Sequence, residues 1–348
     1  MFAARCRSLC PWALAVSSIF LAPLSAQQPK DTAAKSSKVT MDLVVTADSG
    51  VPVAGLTQDD FKVFDNRKPE AITAFRQLGA DAAPTEILIV LDAINAPFVL
   101  VSSERDQIMR FLSTQPEKLP VPTKLAVVTD TNIYLQPQPS SDSKALSAAL
   151  QRHALGLRIL RRSTGFNGAA ERANLSLHAL TQLAAREAAT PGRKLIFWVS
   201  PGWPLLSGPN VRLTSKQGQQ VFSSVVQITD QLRQNRITLY ALNGFGATEP
   251  LLWSEYYQGF LKPLEKPYDS EIGNLALQVF ARQSGGLVLN SNDLGILLKR
   301  AFDDTSAYYE ITYDKPPADR QNEFHSVAVK VDQPGLTVRT IHGYYSQP

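Results

Sequence analysis

Five short, largely apolar runs in the middle of the chain limit the possible folds more than any other feature of this sequence. They occupy residues 87–91, 125–128, 195–199, 237–242 and 287–289. A strand with one face in water alternates apolar and polar residues, whereas a strand covered on both faces is apolar throughout, as in parallel sheets. The five runs therefore predict a buried, mainly parallel sheet at the centre of the protein.

Helical patterns lie between and after these runs. Apolar residues recur at helical spacing in five segments, namely 108–112, 173–184, 221–232, 272–279 and 294–301. We expect Ser102 or Ser103 to cap the first of these helices and Asn292 or Asp293 to cap the last. Alternating strands and helices predict an α/β fold with a doubly wound, mainly parallel sheet, covered by helices on both faces.

The pattern changes on either side of this central region. Residues 39–79 and 306–348 alternate apolar and polar side chains and are interrupted by turn residues, as in short antiparallel strands. We expect these two segments to pack together as one small β unit that flanks an α/β domain over residues 84–305. Thr57 is expected to cap a short helical turn in the first segment.

The N-terminal residues have the order of a secretory signal peptide. Arg5 and Arg7 precede an apolar stretch over residues 12–21, and the small residues Ser25 and Ala26 follow. The apolar stretch is too short to span a membrane comfortably. We therefore predict a signal peptide that is cleaved after Ala26.

No later part of the sequence is a candidate membrane span, because no other apolar run approaches the length that a bilayer requires. Residues 27–38 are mostly Gln, Lys, Ser, Ala and Pro, with no large apolar side chain, and are predicted to form a linker. Cys6 and Cys10 both precede the predicted cleavage point, so the mature chain would form no disulfide. These features predict an exported protein, either periplasmic or secreted, and the sequence does not discriminate between the two.

The charge balance excludes one class of partner. The chain carries a net charge of +4, and without residues 1–26 it has 33 basic residues against 31 acidic ones. A nucleic-acid-binding surface needs an excess of basic side chains to neutralise phosphates. We therefore expect no nucleic-acid partner.

Four segments together resemble a known family. They are residues 55–65 (GLTQDDFKVFD), the strand that ends at Asp92, residues 198–202 (WVSPG), and residues 308–345, which begin with YYEI and end with GYY. In this order the chain resembles the von Willebrand factor type A (VWFA) domain and, more closely, the acidobacterial-type exported proteins termed VWFA-related. The resemblance implies a doubly wound α/β domain and, in members with an intact metal site, metal-dependent adhesion.

The resemblance also implies where a divalent cation would bind. Metal-binding members of the family hold the ion on an Asp-x-Ser-x-Ser motif, a Thr and a second Asp. Here the motif reads Asp92-Ala93-Ile94-Asn95-Ala96, and Ser200 follows the strand where the second acid is expected. Asp92 and Thr164 are the only ligands left, which is too few for Mg²⁺. We therefore predict a vestigial site at Asp92, with no metal and no cofactor.

For Asp92 we favour a local role over a ligand role. Asp92 follows a strand directly, so its carboxylate could cap a helix start or accept hydrogen bonds from the adjacent loop. Asn95 could serve the same purpose.

Motifs for catalysis are absent from the sequence. The four histidines have no metal-binding spacing, and there is no Gly-x-Ser-x-Gly elbow. A Ser-His-Asp set assembled from distant positions stays open, because a catalytic triad is defined in space. We expect the protein not to be an enzyme.

An aromatic segment over residues 245–268 is a candidate for contact with a partner. It contains Trp253, Tyr256 and Tyr257, and it follows the fourth apolar run, so it should lie near the same edge of the sheet as Asp92 and Trp203. Tyrosine and tryptophan are enriched at protein interfaces. The alternative is a small core beneath a long loop.

These observations predict an exported protein-binding or scaffolding module with a degenerate metal site. Its partner would be a protein of the cell envelope or the extracellular space, and the candidate binding residues are those named above: Asp92, Asn95, Thr164, Trp203, Trp253, Tyr256 and Tyr257. The alternatives are a metal-dependent adhesion module and, third, a hydrolase with a triad that has no sequence motif.

Overall fold

The apolar runs form the central sheet of the protein. The computed structural model describes residues 38–79, 85–154, 165–203, 212–245 and 255–348. Its strands, in chain order, are β1 (Lys38–Ala47), β2 (Phe61–Asp65), β3 (Lys68–Glu70), β4 (Ile72–Leu78), β5 (Thr85–Asp92), β6 (Lys118–Val128), β7 (Ile133–Leu135), β8 (Ser140–Asp142), β9 (Arg193–Val199), β10 (Ile237–Asn243), β11 (Val288–Asn290), β12 (Tyr308–Asp314), β13 (Glu323–Val331), β14 (Leu336–Arg339) and β15 (Gly343–Ser346). Its α-helices are α1 (Phe98–Thr114), α2 (Ser143–Ala154), α3 (Gly165–Arg186), α4 (Ser215–Gln234), α5 (Leu277–Gln283) and α6 (Leu294–Asp303).

The central sheet has the strand order of a doubly wound fold. Its order is β11-β10-β9-β5-β6-β7, and β8 also pairs with β6. The strands from β11 to β6 are parallel, whereas β7 and β8 are antiparallel to β6. The chain therefore moves outward from β5 in one direction and from β9 in the other. Together with the flanking β unit described below, this arrangement confirms the predicted fold class.

Both faces of the central sheet are buried. Ile87 and Ile89 of β5 pack with α1, α2 and α6, whereas Leu88 and Val90 pack with α3, α4 and α5. All four side chains are at most 1% exposed. Full burial of such a side chain contributes roughly 1.5–3 kcal/mol. The two cores therefore hold the helices to the sheet.

Two antiparallel sheets form a β-sandwich beside the α/β layers. Their strand orders are β14-β1-β12-β4 and β15-β13-β2-β3. β1 pairs with β12 and β14, and β2 pairs with β13. Met41, Leu43, Phe61, Ile311 and Tyr313 belong to the core between the two sheets. Because each sheet combines strands from both ends of the chain, neither terminal segment can form the sandwich alone.

A buried ionic cluster joins the sandwich to the α/β layers. Asp304 follows α6 and is fully buried. Its two oxygens each accept a hydrogen bond from Nη2 of Arg339 at 2.7 Å, and they also accept from Tyr240 at 2.7 Å and Arg300 at 2.9 Å. Burial alone would raise the pKa of Asp304, but Arg339, Tyr240 and Arg300 outweigh burial and lower it. The carboxylate is therefore ionised and connects β10, α6 and the end of β14.

The predicted helix starts are partly correct. Asp293 caps α6, because its Oδ1 accepts from the backbone N–H groups of Gly295 at 2.8 Å and Ile296 at 3.4 Å. The prediction for α1 is wrong, since this helix begins at Phe98 rather than after Ser102 or Ser103. Pro97 precedes the helix with φ −59°, and a proline favours the dihedral angles of a helix start.

The segment 272–279, predicted as part of one helix, is divided. A 3₁₀ turn spans Ile272–Leu275, Ala276 is extended, and α5 begins at Leu277. The expected stop at the two glycines is correct for a specific reason. Gly285 has φ +87°, and a Cβ on Gly286 would lie 1.8 Å from the carbonyl oxygen of Leu239. Only glycine therefore fits where this turn meets β10.

Several elements were not predicted. β6 begins at Lys118 rather than near Leu125, and its first half contains Pro120 and Pro122. The pairing of β6 with β8 is irregular in this half, between Lys118 and Thr123, and prolines are tolerated where a ladder is interrupted. α2 was missed because its buried positions, such as Leu146 and Leu150, are too few to establish a helical period.

Some predictions concern residues outside the described ranges. These are the signal peptide over residues 1–26, the linker up to residue 37, Thr164 and Trp253. Within the described part of the chain, no helix has both the length and the apolar composition that crossing a bilayer requires.

Candidate functional site

The candidate site lies at the carboxyl edge of the central sheet, between β5 and β9. These two strands are adjacent and parallel, and the chain winds away from them in opposite directions. Open α/β sheets bind their ligands in the crevice at such a switch point. Here β5 ends at Asp92, and Ser200 directly follows β9.

Asp92 is fully buried, and both of its oxygens accept hydrogen bonds from the protein. Oδ1 accepts from the backbone N–H groups of Ile94 at 2.9 Å and Asn95 at 3.2 Å. Oδ2 accepts from Nδ2 of Asn95 at 2.8 Å and from the indole Nε1 of Trp198 at 3.0 Å. The carboxylate therefore anchors the loop between β5 and α1 to the neighbouring strand β9.

Asn95 extends this network to α3. Its Nδ2 also donates to Oγ of Ser176 at 2.8 Å, and Ser176 is fully buried. Ile94 and Ala96, which stand at the two serine positions of the metal motif, are 3% and 1% exposed and belong to the cores on opposite faces of the sheet. Asp92, Asn95 and Ser176 are thus brought together, and Ile94 and Ala96 contribute packing rather than oxygen atoms.

This arrangement does not fit a divalent cation at Asp92. Mg²⁺ and Ca²⁺ need six or more oxygen ligands, and they repel the positive ends of N–H groups. A cation would have to displace the amide of Asn95 and the indole of Trp198 from Oδ2. Among the described residues, no cluster of three or more His, Cys, Asp or Glu side chains has the geometry to hold a metal ion.

Trp198 is the residue of this site that sequence reasoning missed. The sequence places it in an apolar run and in the segment that carries the resemblance, but gives it no role beside Asp92. A tryptophan buried in a strand of aliphatic residues needs an acceptor for its N–H group, and this requirement was the available signal. Its ring also meets Trp203 edge-to-face, with centroids 5.6 Å apart and an interplanar angle of 78°.

Trp203 does not present its ring to a partner. Its side chain is 3% exposed and belongs to the core on the α3 and α4 face of the sheet. The sequence placed Trp203 near Asp92, and Trp203 does lie beside Trp198, which donates to Asp92. Gly202, which precedes Trp203, has φ +107°.

The described part of the aromatic segment is divided, because Tyr257 is buried whereas Tyr268 is 77% exposed. Tyr257 is 8% exposed and packs with Ala276 and Val279 in a small separate core. Tyr256 is half-buried, and its ring meets Phe260 edge-to-face at 6.3 Å. The position of Tyr257 matches the alternative of a small core beneath a loop.

A second acid, Glu104, lies close to Asp92 on the buried face of α1. Its side chain is fully buried, and neither of its oxygens has a hydrogen-bond partner in the described part of the protein. Its Cγ is 3.8 Å from the position of a Cβ on Gly244, at the end of β10. Burial, and to a smaller extent the charge of Asp92, raises the pKa of Glu104 to about 9. Glu104 is therefore protonated at neutral pH.

Glu104→Gln is expected to be more stable than the wild type, by a margin in the free energy of unfolding that grows as the pH rises. The raised pKa means that the folded wild type keeps a proton which the unfolded chain releases above its ordinary value of 4.5. Wild-type stability should therefore fall between about pH 5 and pH 9, by at most about 1.4 kcal/mol per pH unit. Glutamine has no such proton. Urea unfolding of both proteins near pH 5 and near pH 8 measures the difference.

The exposed Glu117 offers a matched control for this measurement, because its side chain is 76% exposed. Glu117→Gln should show the same difference from wild type at both pH values. If Glu104→Gln behaves in the same pH-independent way, Glu104 is ionised in the folded protein and the assignment is incorrect.

The three residue types of a Ser-His-Asp set, Ser346, His325 and Asp65, all lie inside the β-sandwich, although no hydrogen bond joins the serine to the histidine. Nδ1 of His325 lies 2.8 Å from Oδ1 of Asp65. Ser346 pairs with Glu323, two residues before His325 on β13, so Ser346 lies on the face of the sheet that carries His325. Asp65 also accepts hydrogen bonds from the hydroxyls of Tyr313 at 2.9 Å and Tyr344 at 2.7 Å.

This set is closed to substrates. Asp65, His325 and Ser346 are 1%, 2% and 0% exposed, and neither Nε2 of His325 nor Oγ of Ser346 has a hydrogen-bond partner within the described residues. A catalytic serine must be hydrogen-bonded to its base and must reach the substrate. The geometry is that of a polar cluster which ties four strands of the sandwich together.

Comparisons with known proteins provide no closer assignment. No protein-family model matches the sequence, and no curated protein matches it. Among solved structures, the manganese-loaded TRAP protein of Plasmodium vivax is similar with a TM-score of 0.37 and 8% identity, over 78% of this chain and 98% of that chain. The N-terminal domain of TFIIH p34 is similar with a TM-score of 0.33 and 14% identity, over 64% of this chain and 98% of that chain.

Proximal thread matrix protein 1 from the mussel byssus is similar with a TM-score of 0.36 and 13% identity, over 69% of this chain and 51% of that chain. Similarities at this level support no inference about this chain. Its fold class follows from its own strand order and packing.

Proposed function

We propose that this chain is an exported protein-binding module of the VWFA type, that its metal position has been replaced by an internal hydrogen-bond network, and that it is not an enzyme. The observation that carries the proposal is the hydrogen bonding of Asp92, whose two oxygens accept four N–H groups. Because these N–H groups occupy both oxygens, Asp92 is not available to a cation that would bridge to a partner. The partner would then be recognised by side chains of this protein.

The start of α1 supplies exposed apolar side chains at the same edge of the sheet. Phe98 is 45% exposed and Val99 is 74% exposed, and both follow the loop that Asp92 anchors. Exposed apolar side chains held on a rigid element favour contact with another protein. We assign the binding surface to this first turn of α1, because Trp203 and Tyr257 face inward.

Two further observations support the remaining parts of the proposal. The Ser-His-Asp set is enclosed in the sandwich, which argues against hydrolysis. The order of charged, apolar and small residues over 1–26 argues for export, so the partner would be a protein of the cell envelope or the extracellular space.

Capture of partners from envelope extract, by crosslinking to the full chain, tests this function. We expect the Phe98→Ser, Val99→Ser double variant to lose most of the proteins captured by the wild type. Val51→Ser is the control, because Val51 is 60% exposed but lies beside β1 in the sandwich. Each capture is done both with EDTA and with Mg²⁺, and we expect the same proteins under both conditions.

Two outcomes would contradict the proposal. Loss of capture in EDTA would favour the metal-dependent adhesion module. Equal capture by wild type and by the double variant would exclude the first turn of α1 as the binding surface.

A further inference from the structure

One edge of the β-sandwich is open along a whole strand. β4 pairs with β12 and, among the described residues, with no other strand. Thr73, Ala74, Arg76 and Gln77 are all exposed, so neither face of β4 is covered at this edge. An uncovered strand edge offers unpaired backbone N–H and C=O groups to another chain.

The backbone of β4 faces β12 and solvent in alternation. Thr73 donates its hydroxyl to the carbonyl of Thr312 at 3.2 Å, so this carbonyl is directed towards β4. Ala74 lies opposite Thr312 and therefore faces β12, because every second residue of an antiparallel strand exchanges hydrogen bonds with its neighbour. Phe75 and Gln77 then direct their N–H and C=O groups outward, and within the described ranges no turn or loop backbone bonds to them.

A hydrogen bond on the far side of the same sheet agrees with this direction. Thr340, which follows β14, donates its hydroxyl to the carbonyl of Asp42 at 2.9 Å. The backbone of Asp42 therefore faces β14, and Glu310, its opposite residue on β12, faces β4. Arg76 is opposite Glu310, so its backbone is bonded to β12 and its two neighbours are open.

The side chains at this edge indicate which segment fits. On the inner face Phe75 is half-buried, and its ring lies 5.5 Å from the ring of Phe61 and 5.8 Å from that of Tyr309. On the outer face Arg76 donates Nε and Nη2 to Glu310, whereas its Nη1 has no hydrogen-bond partner in the described part of the chain. An added strand would place successive side chains beside Phe75 and Arg76.

We infer that β4 binds an extended segment of a partner protein as an additional antiparallel strand, in which an acidic residue opposite Arg76 is followed directly by an aromatic residue opposite Phe75. Backbone hydrogen bonds to Phe75 and Gln77 hold the segment, and the two side chains select it. This edge belongs to the sandwich and is separate from the first turn of α1. The inference therefore stands or fails independently of the proposed function.

A second copy of this chain is the less favoured occupant. A two-fold pair centred on Arg76 would place this residue opposite its own copy, and like charges in that position are destabilising. A pair centred on Phe75 would place Gln77 opposite Thr73, where the register of β4 is irregular. A pair centred on Gln77 would place Phe75 opposite Gly79, beyond the end of the strand.

Fluorescence anisotropy with labelled peptides tests the inference. The probe is a short peptide of threonine and valine with glutamate followed by phenylalanine at its centre, and two further versions each carry one backbone N-methyl group. N-methylation of the phenylalanine removes an N–H group that would face β4 and should weaken binding at least about tenfold. N-methylation of the glutamate removes an N–H group that would face away, and should change the affinity by less than about threefold.

Variants of the protein separate backbone from side-chain recognition. Gln77→Pro removes an outward N–H group without removing a bond to β12, and edge strands tolerate proline in such positions. It should abolish binding of the probe, whereas Gln77→Ala loses the same side chain and its bond to the N–H group of Gly55 and should bind as the wild type does.

Arg76→Gln tests the selection of the acidic residue. It should weaken the probe by about threefold or more, because it removes the cation opposite the glutamate. Arg320→Gln removes a cation at an exposed position before β13 and should leave the affinity unchanged. Circular dichroism verifies the folding of every variant, and the N-methylated probes need no substitution in the protein.

Hydrogen exchange followed by NMR locates the bound peptide, which should protect the N–H groups of Phe75 and Gln77. Absence of probe binding, equal weakening by the two N-methyl groups, unchanged binding to Gln77→Pro, or protection outside residues 74–78 would each overturn the inference. Equal affinities of Arg76→Gln and wild type would refute the acidic residue. Dimerisation without peptide that Gln77→Pro abolishes would replace the partner with a second copy.

Discussion

Asp304→Ala should lower the free energy of unfolding by about 3–5 kcal/mol, the largest effect that we expect from one substitution. The wild-type carboxylate is fully buried and accepts hydrogen bonds from Arg339, Arg300 and Tyr240. Its removal leaves the guanidinium of Arg339, whose side chain is 11% exposed, without its anion. An uncompensated buried charge is costly because it has lost both water and its partner.

The preceding residue provides the control for this prediction. Asp303 forms an ion pair with Lys299 on the surface of α6, and the two side chains are 41% and 72% exposed. Asp303→Ala should therefore change stability by no more than about 0.5 kcal/mol. Guanidinium unfolding of the two variants measures both values, and similar losses for both would show that the cluster does not connect the sandwich to the α/β layers.

The second large effect is expected for Asp92→Asn, which should cost about 2–4 kcal/mol. Asparagine has the shape of aspartate but replaces one oxygen by an NH₂ group. That group would face the indole N–H of Trp198 and the amide of Asn95, both of which donate to Oδ2 in the wild type. The indole N–H and the Asn95 amide would then both face an N–H donor instead of an acceptor. The site excludes water, so neither donor would find another partner there.

The sign of this effect separates an anchor from a metal ligand. In a metal-free cation site, removal of a negative charge relieves repulsion, so Asp92→Asn would be neutral or stabilising without added metal. We expect it to be destabilising in EDTA and equally so with Mg²⁺, Mn²⁺ or Ca²⁺. A specific cation at a hundred times its dissociation constant would add about 2.7 kcal/mol to the wild type alone.

Asp130 is the control at the same edge of the sheet. It follows β6, is half-buried, and has a side-chain oxygen without a hydrogen-bond partner among the described residues. Asp130→Asn should have little effect on stability. Thermal unfolding with and without each cation, measured for both variants and the wild type, provides the comparison, and calorimetric heat of binding that depends on Asp92 would refute the anchor.

The layered architecture could be predicted because it depends on local patterns. A strand buried on both faces is apolar over its central residues, and β5, β9 and β10 follow this rule apart from polar residues near their ends. Helices that cover such strands need an apolar stripe, which α3 and α4 have. The elements that were missed, α2, β7 and β8, have few buried side chains and therefore a weak pattern.

The edge of the sheet that carries Asp92 could also be predicted, because the residue after a parallel strand lies at its carboxyl end. The hydrogen bonding at that edge could not be predicted. The sequence shows that Ile94 and Ala96 lack oxygen donors, but it does not show that Trp198, 106 residues away from Asp92, supplies an N–H group to the carboxylate. It also cannot show that Trp203 faces inward, since the direction of a side chain after a turn depends on what packs against it.

The same distinction applies to the acids and histidines. Asp65, Glu104, Asp304 and His325 look ordinary in the sequence, and their properties arise from partners that are far away along the chain or missing. Apolar periodicity is encoded in neighbouring residues, so it specifies strands, helices and their layers before any contact forms. Hydrogen bonds and ion pairs between distant residues exist only after the layers have packed. For this reason the tertiary structure alone decided that Asp92 is tied to Trp198 of β9 and that Asp304 is a connection between layers.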